Sequence, residues 1–299
     1  MTATTTTALP LPAARIGTQS PGRLAVRRFL RHRMAVASVV LLVLIALAAL
    51  LLPIAVPHDP NAVDIMALQK PPGDGHLLGT DAAGRDVLAR LLAGGQISLL
   101  VGLTVAVVAT LLGLVLGAVA GYFGGWVDMV IGRITDVVLS FPTLIVVISV
   151  VAFVGPSLTT LIVAIGLCEW PTACRIVRGL TLSLRQRDSI QAAVALGASS
   201  WHVLRRHIAP EVVAPLTVVA TLLVAQAITL EAALSFLGLG VPQPTASWGN
   251  MLNAASSLTT LQSMPWLWLP PGIAIAVTIL AVNFVGDGLR DAVDPRQSR

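Results

Sequence analysis

An all-α polytopic membrane protein with six spans is the fold class this sequence predicts, and three observations carry it. Only 11% of the 299 residues are charged against 56% hydrophobic, too few charges to coat a soluble globule of that size. Uncharged stretches are long enough to cross a bilayer: Ala35 to Pro57 as a helix reaches about 35 Å, against a hydrocarbon core of about 30 Å. These runs lack period-two alternation, so their backbone polar groups must be satisfied inside helices rather than in a closed barrel.

The elements follow in order. Residues 1–33 read as a cytoplasmic tail, disordered over 1–20. RRFLRHR and the apolar run after it read as a retained signal-anchor rather than a cleaved signal peptide, since the run is long and no cleavage motif closes it. Residues 34–57 form the first membrane helix and 58–95 an extracytoplasmic loop. A core of five further helices fills 96–290, with a cytoplasmic loop at 181–210 and a tail at 291–299. The spans are expected near 35–56, 96–121, 130–154, 158–179, 212–237 and 266–288. The third and fourth share an uncharged run from Val137 to Cys168, divided by Gly155-Pro156-Ser157, a helix-ending turn signal.

Arginine placement orients the chain. Arg15, Arg23, Arg27, Arg28, Arg31 and Arg33 precede the first span. Arg175, Arg178, Arg185, Arg187, Arg205 and Arg206 lie around the fourth-to-fifth connection, and Arg290, Arg296 and Arg299 end the chain. An even number of spans puts all three groups in the cytoplasm. The loop 58–95 carries Lys70, Arg85 and Arg90 against five aspartates, and 239–264 carries no charge. The net charge of +5 is thus a topology signal. The basic residues flank several spans instead of gathering on one domain, which argues against a nucleic-acid partner.

The chain lacks the means for covalent chemistry. Its single lysine, Lys70, has no GxxxxGK[ST] around it, and neither HExxH nor GxSxG occurs, so no nucleotide cradle, metal site or nucleophile is expected. Cys168 and Cys174 lie on different helix faces and read as free buried thiols.

One compact polar segment stands out in this apolar chain, DSIQAAVALGASSWHVLRRHIAP (188–210). Asp188 and Gln191 have the spacing of a capping box. A short helix follows through Leu196, and Gly197 suits the left-handed residue after its end. Ser199 or Ser200 caps a second helix through Trp201, Val203 and Leu204, closed by Pro210. The residues alone allow an amphipathic pair resting on lipid headgroups through Arg205 and Arg206. The small face of Ala192, Ala193, Ala195 and Ala198 favours close approach of another protein instead.

Here the sequence resembles a known family. Gln191-Ala192-Ala193, three residues, Gly197, nine residues, then His207-Ile208-Ala209-Pro210 resembles the EAA loop of ABC importer permeases, with Gln191 for the family's Glu and Ala209 for its Leu. HLLGTDAAGRDVLARLLAGGQISLLVG (76–102), GYFGGWVDMVIGRITDVVLSFPTL (121–144), EAALSFLGLGVPQPTASWGNML (231–252) and NFVGDGLRDAVDPR (283–296) resemble the dipeptide/oligopeptide/nickel branch, in its "C" permease. The resemblance covers roughly 25–296. It implies a type I importer fold in a bacterial plasma (inner) membrane and a heterodimer with a homologous second permease. It implies two ATPase subunits that hold ATP and Mg, and an extracytoplasmic binding protein or lipoprotein that delivers peptides. Nickel chelates, glutathione or haem are alternative substrates within the branch. An ion-coupled secondary transporter is the remote alternative, since it leaves the EAA-like loop unexplained and no inverted repeat is visible. This chain itself needs no cofactor and is not an enzyme. The resemblance assigns ATPase coupling to Asp188, Gln191, Ala192, Ala193, Gly197, Ala198, Trp201, Arg205, His207 and Pro210.

Other polar residues in the spans are candidates for the translocation path or gate: Glu169, Glu231, Ser235, Phe236, Gly238 and Gly240. Intramembrane acids are costly and face cavities or partners. Glu169, on a span loosened by Pro171, lines the path or pairs with Arg175 or another subunit. Glu231 lines the gate or bonds between helices. Asp136 is expected to pair with Arg133 three residues before it. Asp287, Arg290 and Asp291 read as helix-end anchors. Gly238-Leu239-Gly240 and the VPQP after it break the fifth span. With Trp248 and Trp266 they form either an outer gate and docking surface for the binding protein or plain loop packing with interfacial tryptophans.

Overall fold

The computed structural model describes residues 21–56, 58–73 and 75–293; the tail 1–20 and the terminal arginines Arg296 and Arg299 lie outside the described residues. Two N-terminal helices, α1 (Pro21–Arg31) and α2 (Arg33–Ala55), meet at His32, whose Nδ1 accepts from the Ala35 N–H at 3.1 Å. Then come α3 (Val87–Phe123), α4 (Gly125–Leu139), α5 (Thr143–Val154) and α6 (Leu158–Arg185). Two short helices, α7 (Asp188–Ala195) and α8 (Ser200–Val203), lead through a π-turn at Leu204–Ile208 into α9 (Ala209–Phe236). The chain ends in α10 (Trp248–Ala254), α11 (Leu258–Ser263) and α12 (Pro265–Val293). Among the described residues five helices are long and apolar enough to span, and the pair α4 and α5 brings the number to six if it counts as one.

That pair corrects the expectation of one straight span over 130–154: α4 and α5 meet at a bend of 84°. Pro142 gives no N–H and drives Phe141 out of the helical region, so the helix stops and restarts there. A second correction concerns the start of α3. It begins at Val87, ahead of the span start expected near residue 96, with Asp86 Oδ1 accepting from the Ala89 N–H at 2.7 Å. Arg90 is buried inside it, 3.6 Å from Asp81 and donating to the carbonyls of Pro60 (3.2 Å) and Pro244 (3.4 Å). A neutralised and hydrogen-bonded arginine does not end a helix.

The tightest seam runs between α3 and α6. Gly113, Gly117 and Gly121 lie four residues apart on α3. A Cβ on Gly117 would stand 2.6 Å from the Cys174 carbonyl, and one on Gly121 2.7 Å from Thr181 Cβ. Small residues at this spacing bring two backbones together, where lipid supplies no hydrophobic drive for association. The α3 side of α9 is similar: Gly102 faces Ile228. Leu161, Ile165, Val101, Val105 and Leu234 fill the centre, and α12 closes the bundle against α2 and α9. Near its end Asp291 lies 3.7 Å from His32, in keeping with helix-end anchoring. Both cysteines are free and buried.

Candidate coupling surface and intramembrane site

The segment 188–210 stands where α6 ends and α9 begins. α7 starts one residue earlier in its cap than expected: Arg187 occupies the N-cap without a side-chain bond, and Gln191 Nε2 reaches the Gln186 carbonyl at 3.4 Å. The expected capping box is therefore not formed, although Asp188 keeps a negative charge in the first turn, where the helix dipole favours it. Gly197 takes φ +87, as its position after the helix requires. Its N–H donates to the Val194 carbonyl (2.9 Å) and that of Ala198 to the Ala193 carbonyl (3.0 Å), the bond pair of a left-handed helix stop. Ser199 caps α8 by accepting from the His202 N–H at 3.3 Å. Pro210 does not close that helix. The π-turn at Leu204–Ile208 absorbs the proline's missing N–H, and the helix continues from Ser200 to Phe236.

The two short helices have a buried underside and an apolar outer edge. Ile190, Val203 and Ile208 are buried in one cluster with Val177, Leu184 and Val212, which fixes the pair to the bundle. On the other side Leu196 is 89% exposed and Trp201 70% exposed, with Gln191, Ala192, Val194, Arg205 and Arg206 also exposed. Ala193, Ala198 and His207 are half-buried between the two faces. Sequence reasoning singled out Trp201 but missed Leu196 and Val194. The signal was available: a leucine directly before the glycine of a polar loop.

At the opposite end the chain closes on itself. Glu231 is fully buried, its carboxyl accepting from the hydroxyls of Ser235 (2.7 Å) and Ser98 (2.9 Å). Ser98 in turn accepts from the Trp248 N–H at 3.3 Å. Glu231 thus bonds α9 to α3 and, through Ser98, to the start of α10. Ser235 belongs to the same node, and Gly240 packs against it so closely that a Cβ there would collide. Gly238 turns the chain at φ +81, and Phe236 remains partly exposed. Trp248 is 2% exposed and donates its indole N–H to the Leu91 carbonyl at 3.0 Å. It is a packing residue and not part of an exposed docking surface; Trp266 is half-buried, against Gly79.

Beside this node three groups of metal-ligand type approach one another. His58, His76 and Asp86 have their ligand atoms within 4.8 Å, a proximity the scattered histidines of the sequence did not suggest. His76 Nδ1 and Asp86 Oδ2 already share a hydrogen bond at 2.8 Å, and the other Asp86 oxygen caps α3. The cluster ties the loop to the start of that helix.

Glu169, the other buried glutamate of the membrane helices, has a different setting. On α6, it lines a cavity of about 650 Å³ together with Thr143, Thr172, Gln226, Thr229 and Asn283. It is not paired with Arg175, because Arg175 reaches across to Asp136 at 2.7 Å. That bond also replaces the expected Arg133–Asp136 pair. Arg178 is engaged by Asp128. The bend at Pro142 sets Thr143, the first residue of α5, in the lining of the same cavity. Glu231 is not among the residues lining this cavity.

Comparison with known proteins places these features. A family model described as binding-protein-dependent transport system inner membrane component matches residues 113–299, and one described as the N-terminal TM domain of oligopeptide transport permease C matches residues 20–72. A Brucella suis biovar 1 (strain 1330) protein bearing the provisional name of a peptide permease is 45% identical over 269 residues, 90% of this chain and 89% of that relative. The oligopeptide transport system permease protein OppC of Escherichia coli (strain K12) is 44% identical over 272 residues, again 90% of this chain and 89% of that relative. Among solved structures, an inward-facing MetNI methionine ABC transporter chain superposes with a TM-score of 0.55 at 17% identity, covering 69% of this chain and 96% of that one; at that identity the likeness concerns the fold.

Proposed function

This chain belongs to the binding-protein-dependent transport system inner membrane component family, and from that premise we propose that it is the permease subunit of an ATP-driven importer of peptides. It is a multi-pass inner-membrane protein. The relatives' names support peptides as the substrate class. The chain pairs with a homologous second permease, and an extracytoplasmic binding protein delivers the ligand. ATP and Mg are held by two separate ATPase subunits, and the covalent step is theirs. With both termini and 188–210 in the cytoplasm, α7 and α8 seat in a groove of one ATPase.

The observation that carries the coupling role is the exposure of Leu196 and Trp201 on either side of the Gly197 bend. Exposed apolar anchors on a rigidly buttressed support are what a partner pocket takes up. Transport then consists of two packings of the permease pair, biased by an ATPase dimer that binds one better than the other. Moving such an equilibrium from 1:99 to 99:1 takes about 5.5 kcal/mol of differential binding. The test is reconstitution in proteoliposomes of this chain with its second permease, the ATPases and the binding protein. Peptide uptake should require ATP and loaded binding protein, and this chain alone should hydrolyse no ATP. Uptake that continues without the ATPases and follows a proton or sodium gradient would establish a secondary transporter instead.

A further inference from the structure

Glu169 is the single charged residue among those lining its cavity. Among the described residues it forms no ion pair, and the two nearest basic residues that follow it on α6, Arg175 and Arg178, are engaged by Asp136 and Asp128. A carboxylate kept inside a span without a cation is expensive, and such residues mark the path of what passes. The rest of the polar lining is uncharged: the amides of Gln226 and Asn283 and the hydroxyls of Thr143, Thr172 and Thr229.

Resting on the peptide reading above, we propose that Glu169 is the subsite that receives the cationic α-amino group of the passing peptide. Every unmodified peptide carries that group whatever its side chains. Amide and hydroxyl groups donate to and accept from peptide backbone in either sense, so the same lining serves many sequences. A volume of about 650 Å³ is that of a small-ligand pocket. One carboxylate opposite one ammonium gives orientation without tight retention, as a passage site requires. The competing occupant is a basic side chain of the second permease, which would make Glu169 an assembly residue.

The experiment uses the complete reconstituted importer, with uptake of tri-alanine measured at increasing loaded binding protein. Glu169→Gln removes the charge that faces the ammonium group and should lower maximal uptake by about 10-fold or more. The KM for the loaded binding protein should not change, because docking occurs elsewhere. Glu169→Asp should retain most of the uptake, and Glu169→Lys should have none. All three should assemble with the second permease as the unaltered chain does. Unchanged uptake by Glu169→Gln overturns the subsite, and so does loss of the second permease from that variant, which would assign Glu169 to subunit pairing. If the unaltered complex moves no peptide, the peptide reading itself fails, and this inference with it.

Discussion

The two ends of the bundle treat their tryptophans in opposite ways. Where α9 gives way to α10, Trp248 is enclosed, both its N–H groups are bonded, and the buried carboxyl of Glu231 binds neighbouring elements through serine hydroxyls. Where α6 gives way to α9, Trp201 and Leu196 stand in the open beside a bend that holds them in place. At the first end Trp248 and the Glu231 carboxyl have their hydrogen-bonding needs met within one chain. The second leaves apolar side chains unsatisfied on a firm base. Incompleteness of this kind locates a partner more directly than charge does.

Labelling gives the largest and simplest test of that contrast. In a chain whose Cys168 and Cys174 are replaced by Ala, Leu196→Cys should react with an impermeant thiol reagent only from the cytoplasmic side and Leu258→Cys, at an exposed position near α10, only from outside. Reaction of both from one side would break the comparison and the orientation together. Next in size, the double change Leu196→Asp and Trp201→Ala should reduce ATPase co-purification more than 10-fold while the spans still insert and the permeases still pair. Normal ATPase retention, with weaker binding of the chain's polar end to lipid vesicles, would instead make α7 and α8 a surface-lying pair.

Glu231→Ala probes the closed end. It leaves the Ser98 and Ser235 hydroxyls without their acceptor and a void between α3 and α9, a loss of about 2–4 kcal/mol. Thermal unfolding of the purified complex should move down by several degrees with ATPase retention unchanged; an unaltered transition would mean the node contributes little. Finer effects belong to the bend. Gly197→Val imposes a β-branched residue on a left-handed backbone at about 1–2 kcal/mol, and nothing stands within 4 Å of the added Cβ, so strain rather than collision should weaken coupling. Gln191→Glu adds a negative charge near the α7 N-terminus, worth about 0.3–1 kcal/mol, and should give ATPase retention equal to or slightly above that of the unaltered chain.

What the sequence disclosed was mostly local. The bend at Gly197, the Ser199 cap and the hairpin at Gly155 each follow from one residue type and its backbone preference. The break at Pro142 was written just as plainly, but the uncharged run around it invited a single span. Arg90 misled for the reverse reason: a charge marks a span's limit only when it is not neutralised, and beside the nearby Asp81 its partners Pro60 and Pro244 come from distant parts of the chain. The partner of Asp136 lies 39 residues away on another helix, where spacing rules cannot see it. The same holds for the cavity, since Glu169, Gln226 and Asn283 share it only after α6, α9 and α12 have packed. The exposure of Leu196 was equally hidden, because solvent access is decided by what the rest of the chain leaves uncovered.

The glycine seam between α3 and α6 has a mechanical consequence. Over Gly113, Gly117 and Gly121 the two helices touch backbone to backbone, with no layer of long side chains to slide or re-pack between them. They form a double-walled rod. One wall, α3, has 37 residues, about 55 Å at 1.5 Å per residue, and runs from the Asp86 cap beside the closed end to the vicinity of the open one. The other wall carries α7 directly at its tip. On the proposed coupling role, a displacement imposed on α7 by an ATPase would turn the whole rod as a lever, and the far arm would move Ser98 of the Glu231 node and the Glu169 wall of the cavity at once. Spin labels placed on α3 and α6 should keep their separation throughout the ATP cycle, whereas a label on either of them should change its distance to the second permease.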